Sequence, residues 1–182
     1  SMPGVMSVAR FYRAGIEDDP EDFANVVLSY DAAPGAPVTF QEQHVLFADP
    51  EFLDLFDVQV EQGDPTVALE TPGSVMLSTA TARRYFGEDT ALGKILRFND
   101  SRLHTHLLTV TGIYVDETRN KHVRYDMLIS YPTLYTRRDQ GAVHYEQHWY
   151  DYNFYTYVNL TSDANPIAIG QRLSIMMDAQ FS

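Results

Sequence analysis

Residues 73–99 read GSVMLSTATARRYFGEDTALGKILRFN, and this stretch decides the fold class. Val75 to Leu77 are apolar and β-prone, a short strand. Ser78 follows, a residue whose hydroxyl accepts the free N–H groups of a helix start. Ala82, Tyr85 and Phe86 then recur at helical spacing and form a stripe for burial. Gly87 can take the left-handed conformation that ends a helix, and Gly93 can reverse the chain into a second strand at Ile95 to Phe98. The Gly87–Lys94 turn invites a phosphate-loop reading, which fails. Five residues separate its glycines where a phosphate loop has four, and Ile95 stands where a Ser or Thr would bind Mg²⁺. Glu88 and Asp89 would also repel phosphate. The turn is structural.

Upstream, Val5–Arg13, Val26–Tyr30 and Val38–Phe47 read as strands, the last carrying His44. Asp49-Pro50-Glu51 reads as a helix start with Asp49 as cap, followed by Phe52, Leu55 and Phe56 on one face. Gly63-Asp64-Pro65 closes that region. Downstream, Leu107–Val115 alternates as a half-buried strand does. Asn99-Asp100-Ser101 is expected to turn into it. Tyr125–Ile129 and Phe154–Leu160 add strands, and 131–150 reads as a long loop with one helical turn. Asn165-Pro166 opens a last helix with Ile169, Leu173, Met176 and Met177 on one face. Short strands mixed with about three helices place the chain in the α+β class.

The chain has 182 residues, a net charge of −12 and no cysteine. That length buries roughly 70% of the unfolded chain's surface and needs no covalent staples. The acidic balance offers no basic stripe for phosphates, so nucleic acid is not an expected partner. The lack of cysteine excludes disulfides, zinc–thiolate sites and thiol catalysis. No run approaches the ~20 apolar residues of a membrane span. Ser1-Met2 reads as a cloning remnant, and the parent protein is expected to extend beyond both ends.

Several runs together resemble one family, the MacB-like periplasmic core domain of MacB/FtsX-type ABC permeases. FADPEFLDLFDVQVEQGDPTVAL (47–69) resembles its acid-Pro-x-Phe run and the following turn. The 73–99 stretch resembles its strand, capped helix and Leu-Gly-Lys turn. LTVTGIYVDETRNKHVRYDMLIS (108–130) resembles the next strands, and NFYTYVNL (153–160) the closing one; PGVMSVARFYR (3–13) is compatible. Ala91 departs from the more frequent Pro, and the family's further helix before residue 3 has no counterpart.

The resemblance implies a subdomain built from both chain ends, 1–72 and 128–182, with an α/β insert at 73–127. It marks Ser78, Phe86, Gly87, Gly93, Gly112, His122 and Asp126 as structural motif positions, with His122 expected to hydrogen-bond a neighbouring loop. It implies a non-catalytic domain on the periplasmic face of the bacterial inner membrane. Its own transmembrane helices, a cytoplasmic ATPase, and an adaptor or cargo would be its partners, in a dimeric parent permease. The final helix, without a stop signal, is compatible with leading into a membrane span.

Other chemistry reads weakly. His144 and His148 stand four apart, as metal ligands on a helix do, but Tyr145 occupies the place of the zinc-protease Glu. His104 and His106 alternate on a strand. Asp54, Asp57, Asp116, Glu117 and Asp126 are too many acids for any pair to be diagnostic of glycoside hydrolysis. No catalytic residue, metal or cofactor is therefore expected. The dense aromatic run Trp149, Tyr150, Tyr152, Phe154, Tyr155 and Tyr157 fits core packing or a partner surface. If Phe154, Thr156 and Val158 face the core, then Tyr155 and Tyr157, with Trp149, are the candidate contact residues. The alternatives to a permease domain are a free-standing periplasmic ligand-binding or adhesion domain, and a carboxylate- or metal-dependent hydrolase.

Overall fold

The computed structural model describes residues 3–14, 26–31, 37–100, 104–116, 122–136 and 154–180. By their contacts the residues fall into two compact units, Ser1–Val8 with Tyr157–Ser182, and Ala9–Thr156.

The larger unit is organised by a mixed sheet. Its strands are β1 (Val5–Ala14, shared with the smaller unit), β2 (Val26–Tyr30), β3 (Val38–Glu42), β4 (Val45–Ala48), β5 (Val60–Gly63), β6 (Ser74–Ser78), β7 (Ile95–Asp100), β8 (His104–Tyr114) and β9 (Met127–Ser130). They lie in the order β1-β4-β9-β6-β8-β7-β2-β3, with β10 (Phe154–Leu160) beside β1 and β5 paired to β8. The β4–β9 and β6–β8 pairs are parallel and the β1–β4, β6–β9, β7–β8, β2–β7, β2–β3 and β5–β8 pairs antiparallel, a mixture that fits the α+β class. All residues of β4, β6 and β9 are buried. These three strands are covered on both faces, which is why they read as continuous apolar runs instead of alternating.

Two helices cover this sheet. On one face, α2 (Thr79–Phe86) buries Ala82, Tyr85 and Phe86 in a core with Tyr12, Phe47, Leu77, Phe98 and Val110. On the other, α1 (Glu51–Leu55) brings Phe52 to an edge-on contact with Phe11, centroids 5.6 Å apart, and Phe52 stacks on Phe56 at 4.2 Å. Neighbouring Phe11 and Tyr12 point to opposite faces of β1, and both are buried.

Three expectations need correction. The single strand Val38–Phe47 is two, broken at Gln43-His44. Among the described residues β3 pairs only with β2, whereas β4 leaves that edge and inserts between β1 and β9. The His44 carbonyl at the break accepts Asp126 N–H at 2.8 Å. Second, Asp49 does not cap α1. Its carboxylate accepts Arg10 N–H (3.0 Å) and the Arg10 guanidinium (2.9 and 3.2 Å), while the helix start is held by the Asp49 carbonyl receiving Phe52 N–H. Third, Asn99 and Asp100 belong to β7, paired with Thr105 and His104.

The smaller unit contains the first residues of β1, the end of β10 and α3 (Pro166–Gln180). Asn165 caps α3 through its side-chain oxygen, which accepts Ile167 N–H and Ala168 N–H. Gly4 lets the chain pass close to this helix start: a Cβ there would lie 3.0 Å from Ala164 Cβ and 3.7 Å from Ile169 Cδ1.

Candidate contact surface

The aromatic strand β10 is not divided as its alternation predicts. Phe154 packs on Tyr12 at 4.6 Å, on the α2 side of the sheet. Tyr155 stacks on Phe11 at 4.9 Å with planes 14° apart, on the α1 side. Thr156, expected in the core, is exposed, and Tyr157 is half-buried in the smaller unit. Tyr155 thus covers a buried ring while keeping part of its own surface in solvent. Trp149, Tyr150, Tyr152, His144 and His148 lie outside the described residues.

The motif positions sit around α2 and β8. The Ser78 side-chain oxygen accepts Thr81 N–H at 3.2 Å, and the Asp116 carboxylate takes Ala80 N–H at 2.8 Å, so two acceptors serve one helix start. Phe86 is buried against Tyr30, and Gly87 N–H closes the helix on the Arg83 carbonyl at 2.8 Å. Gly87 (φ 65°) and Gly93 (φ 78°) both occupy the half of backbone space that side chains disfavour. Gly93 N–H bonds the Val110 carbonyl, tying the turn to β8. Gly112 answers a different need: a Cβ there would stand 2.7 Å from Met76 Cε and 3.3 Å from the Gln62 carbonyl. His122 is exposed with its ring 6.2 Å from Phe56, and the Asp126 carbonyl receives Ser78 N–H at 3.0 Å.

Among the described residues, the acids and histidines singled out by the sequence do not converge. Asp54 and Asp57 are exposed, Asp116 is committed to α2, and Glu117 is outside the described residues. His104 and His106 sit in β8 opposite Asp100 and Phe98. His106 borders a narrow space with Phe47, Phe98, Leu108 and Thr133, too tight for a water molecule and hence for a ligand.

One cluster was not foreseen from the sequence. Glu42, at the end of β3, is buried and accepts from Arg84 at 2.6 and 2.7 Å and from the Tyr85 hydroxyl at 2.6 Å. Arg84 also lies over the Phe40 ring at 5.1 Å. Burial, reinforced by the Glu42 hydrogen bond and charge, pushes the Tyr85 phenol far above its usual 10.0, against a smaller opposing pull from Arg84. The signal available beforehand was weak: an acid ending a strand and an arginine on a helix are ordinary surface choices. The cluster locks the β3 edge onto α2.

The sequence matches the family model of the MacB-like periplasmic core domain over residues 3–174. The chain belongs to this family. Two solved domains share its fold. A periplasmic region of MacB from Actinobacillus actinomycetemcomitans superposes with a TM-score of 0.65 at 15% identity, covering 98% of this chain and 68% of that one. A domain of an assigned permease protein from Porphyromonas gingivalis gives a TM-score of 0.67 at 22% identity, covering 98% of this chain and 66% of that one. The chain therefore spans just under two thirds of the latter domain. No curated protein matches the sequence. As a MacB-like core domain, the chain has the mixed α+β sheet that its 73–99 stretch implies. Among its described residues no helix is long and apolar enough to cross a membrane.

Proposed function

We propose that this chain is the extracytoplasmic part of a bacterial ABC-transporter permease, held at the periplasmic face of the inner membrane by the parent's own transmembrane helices. It performs no reaction. It passes conformational change between a cytoplasmic ATPase and the periplasmic side, and contacts cargo or an adaptor around Trp149, Tyr155 and Tyr157, in a parent that works as a dimer. The family match over residues 3–174 carries this reading. The larger unit supports it physically. Its central strands are buried on both faces and its β3 edge is bolted to α2, so it is built to move as a body instead of deforming.

The reading also takes 1–72 with 128–182 as one subdomain and 73–127 as an insert. Cleavage at both joints tests this. Two separately protected pieces support an insert, whereas a single unit held by the β6–β9 pairing argues against it.

These 182 residues hold no cysteine, so the main test is direct once any cysteine elsewhere in the parent is changed to serine. A Gln41→Cys variant of the parent, at an exposed site, is expected to react with a membrane-impermeant maleimide in cells whose outer membrane alone is permeabilised. Labelling only after lysis would place the domain in the cytoplasm and sink the proposal. In the same parent, Trp149→Ala and Tyr157→Ala are expected to abolish adaptor or cargo contact, measured on variants whose melting transition shows that they still fold.

A further inference from the structure

Among the described residues β3 ends the sheet, paired to β2 alone. Val38, Phe40 and Glu42 share its core face, opposite Tyr30, Leu28 and Val26. Val38 and Phe40 pack on the core, and Leu28 and Val26 are buried, so Glu42 is the one acid on an apolar face. A slip of β3 by one residue would turn Phe40 to solvent, and burial forbids it. A slip by two keeps the in–out alternation and the direction of every backbone hydrogen bond. The connection from β2 to β3, residues 31–37, is longer than the two-residue turns that fix register by themselves.

Only one such slip has room. Gln43-His44 alone joins Glu42 to β4, whose residues are all buried, so β3 cannot advance towards β4. It can move the other way, with Phe40 opposite Val26 and Val38 opposite Leu28. Residues 41–44 then join the strands, and 31–35 connect β2 to β3. This second register keeps both apolar side chains on the core face and returns Glu42 to water. For the carboxylate alone it is the better one, because burial of a charge is costly. The first register is held by two neighbours on α2. Arg84 donates to Glu42 at 2.6 and 2.7 Å and the Tyr85 hydroxyl at 2.6 Å.

We infer that β3 has a second register, two residues from the observed one, and that Arg84 and Tyr85 hold it in the first by clasping Glu42. The cluster is a conformational latch. A movement of α2 that withdraws both donors releases Glu42 and lets the edge strand slide. The inference concerns the larger unit alone and rests on no step of the transport reading.

Thr39 reads the register. It lies opposite Ser29 in the first and opposite Val27 in the second. Residues directly opposite on neighbouring strands are within disulfide reach, whereas a diagonal pair, about 7–8 Å apart, is not. Thr39→Cys is combined with Ser29→Cys or with Val27→Cys in the parent protein, any cysteine elsewhere being changed to serine. Each variant's folding is checked by its melting transition. With Arg84 and Tyr85 in place, the Ser29→Cys pair is expected to oxidise at least about tenfold faster than the Val27→Cys pair. In Arg84→Met/Tyr85→Phe the order is expected to reverse, because Glu42 would stay buried without donors in the first register. Adding Glu42→Leu is expected to restore the original order, since leucine gains by the burial that a bare carboxylate resists. An order unchanged in the double variant overturns the inference. So does a reversed order that Glu42→Leu does not restore, which would mean general loosening of the edge. Where the double variant fails to melt cooperatively, Arg84→Met alone replaces it, with a shift of at least about threefold towards the Val27→Cys pair expected and a smaller one overturning the inference.

Discussion

Tyr85 shows how one side chain's chemistry sets the energetics around it. Its hydroxyl donates to Glu42 at 2.6 Å in a nearly solvent-free setting, and the same carboxylate receives Arg84. Removing the hydroxyl leaves the Glu42 oxygen one donor short, a loss of about 1.5–3 kcal/mol for a hydrogen bond to a charged group. Tyr85→Phe is therefore expected to lower stability by that amount at neutral pH, as measured by denaturant unfolding. The pH dependence has a definite sign. Because the folded state raises the Tyr85 pKa, the folded state holds the proton more tightly than the unfolded chain. Its contribution is complete below the unfolded value of 10.0 and is lost as pH climbs above it. The stability gap between wild type and Tyr85→Phe should narrow as pH rises past 10.0. A gap that stays constant would mean the phenol is not shielded as the structure has it. None of this was legible in the sequence beyond Tyr85 being core. Glu42 lies at the end of an alternating strand, where either burial or exposure was compatible with the pattern, and its partner is 42 residues away on another element.

At the scale of elements, legibility followed local chemistry. α2 was readable because cap, apolar stripe and terminal glycine are all encoded within a few residues, and the structure places each of them. Its cap yields a sharp expectation. Ser78→Ala removes the acceptor of Thr81 N–H and should cost about 1 kcal/mol, with Asp116 still holding Ala80 N–H. For a chain of this size that is about 2–4 °C in melting temperature. Asp116→Ala on top of it should cost more than either change alone, because the two acceptors serve different N–H groups of the same turn. A Ser78→Ala variant melting with the wild type would assign the helix start to Asp116 alone. β3 and β4 were not separable, because the break at Gln43-His44 contains neither glycine nor proline. What breaks the strand is tertiary: β4 is drawn between β1 and β9, where all four of its residues are buried. Asp49 misled for a related reason. Its position before Pro50 is a proper cap position, but Arg10 on the neighbouring strand offers charge-assisted bonds that a backbone N–H does not match.

For the molecule as a whole, the distribution of burial predicts a distribution of stability. β4, β6 and β9 are flanked by partners on both sides and have no exposed residue, so their amides are released only when the larger unit unfolds as a whole. β1 changes character along its length: Val5–Val8 alternates between half-buried and exposed, whereas Phe11, Tyr12 and Ala14 are buried. In α3, from Pro166 to Ile175, Ile169 alone is buried. Native-state hydrogen exchange should therefore rank Leu46, Met76 and Leu128 slowest, at the global unfolding free energy. Phe11 and Tyr12 follow them, and the amides of Arg172 to Ile175 exchange by far the fastest. This ranking bears on the aromatic strand left undecided by its sequence. Tyr155 covers the Phe11 ring, so it belongs to the slow body of the molecule, and Tyr155→Ala should accelerate exchange at Phe11 and Phe52 together. A Tyr155→Ala protein that keeps wild-type exchange at both positions would remove the packing role and leave Tyr155 wholly available for contact with a partner.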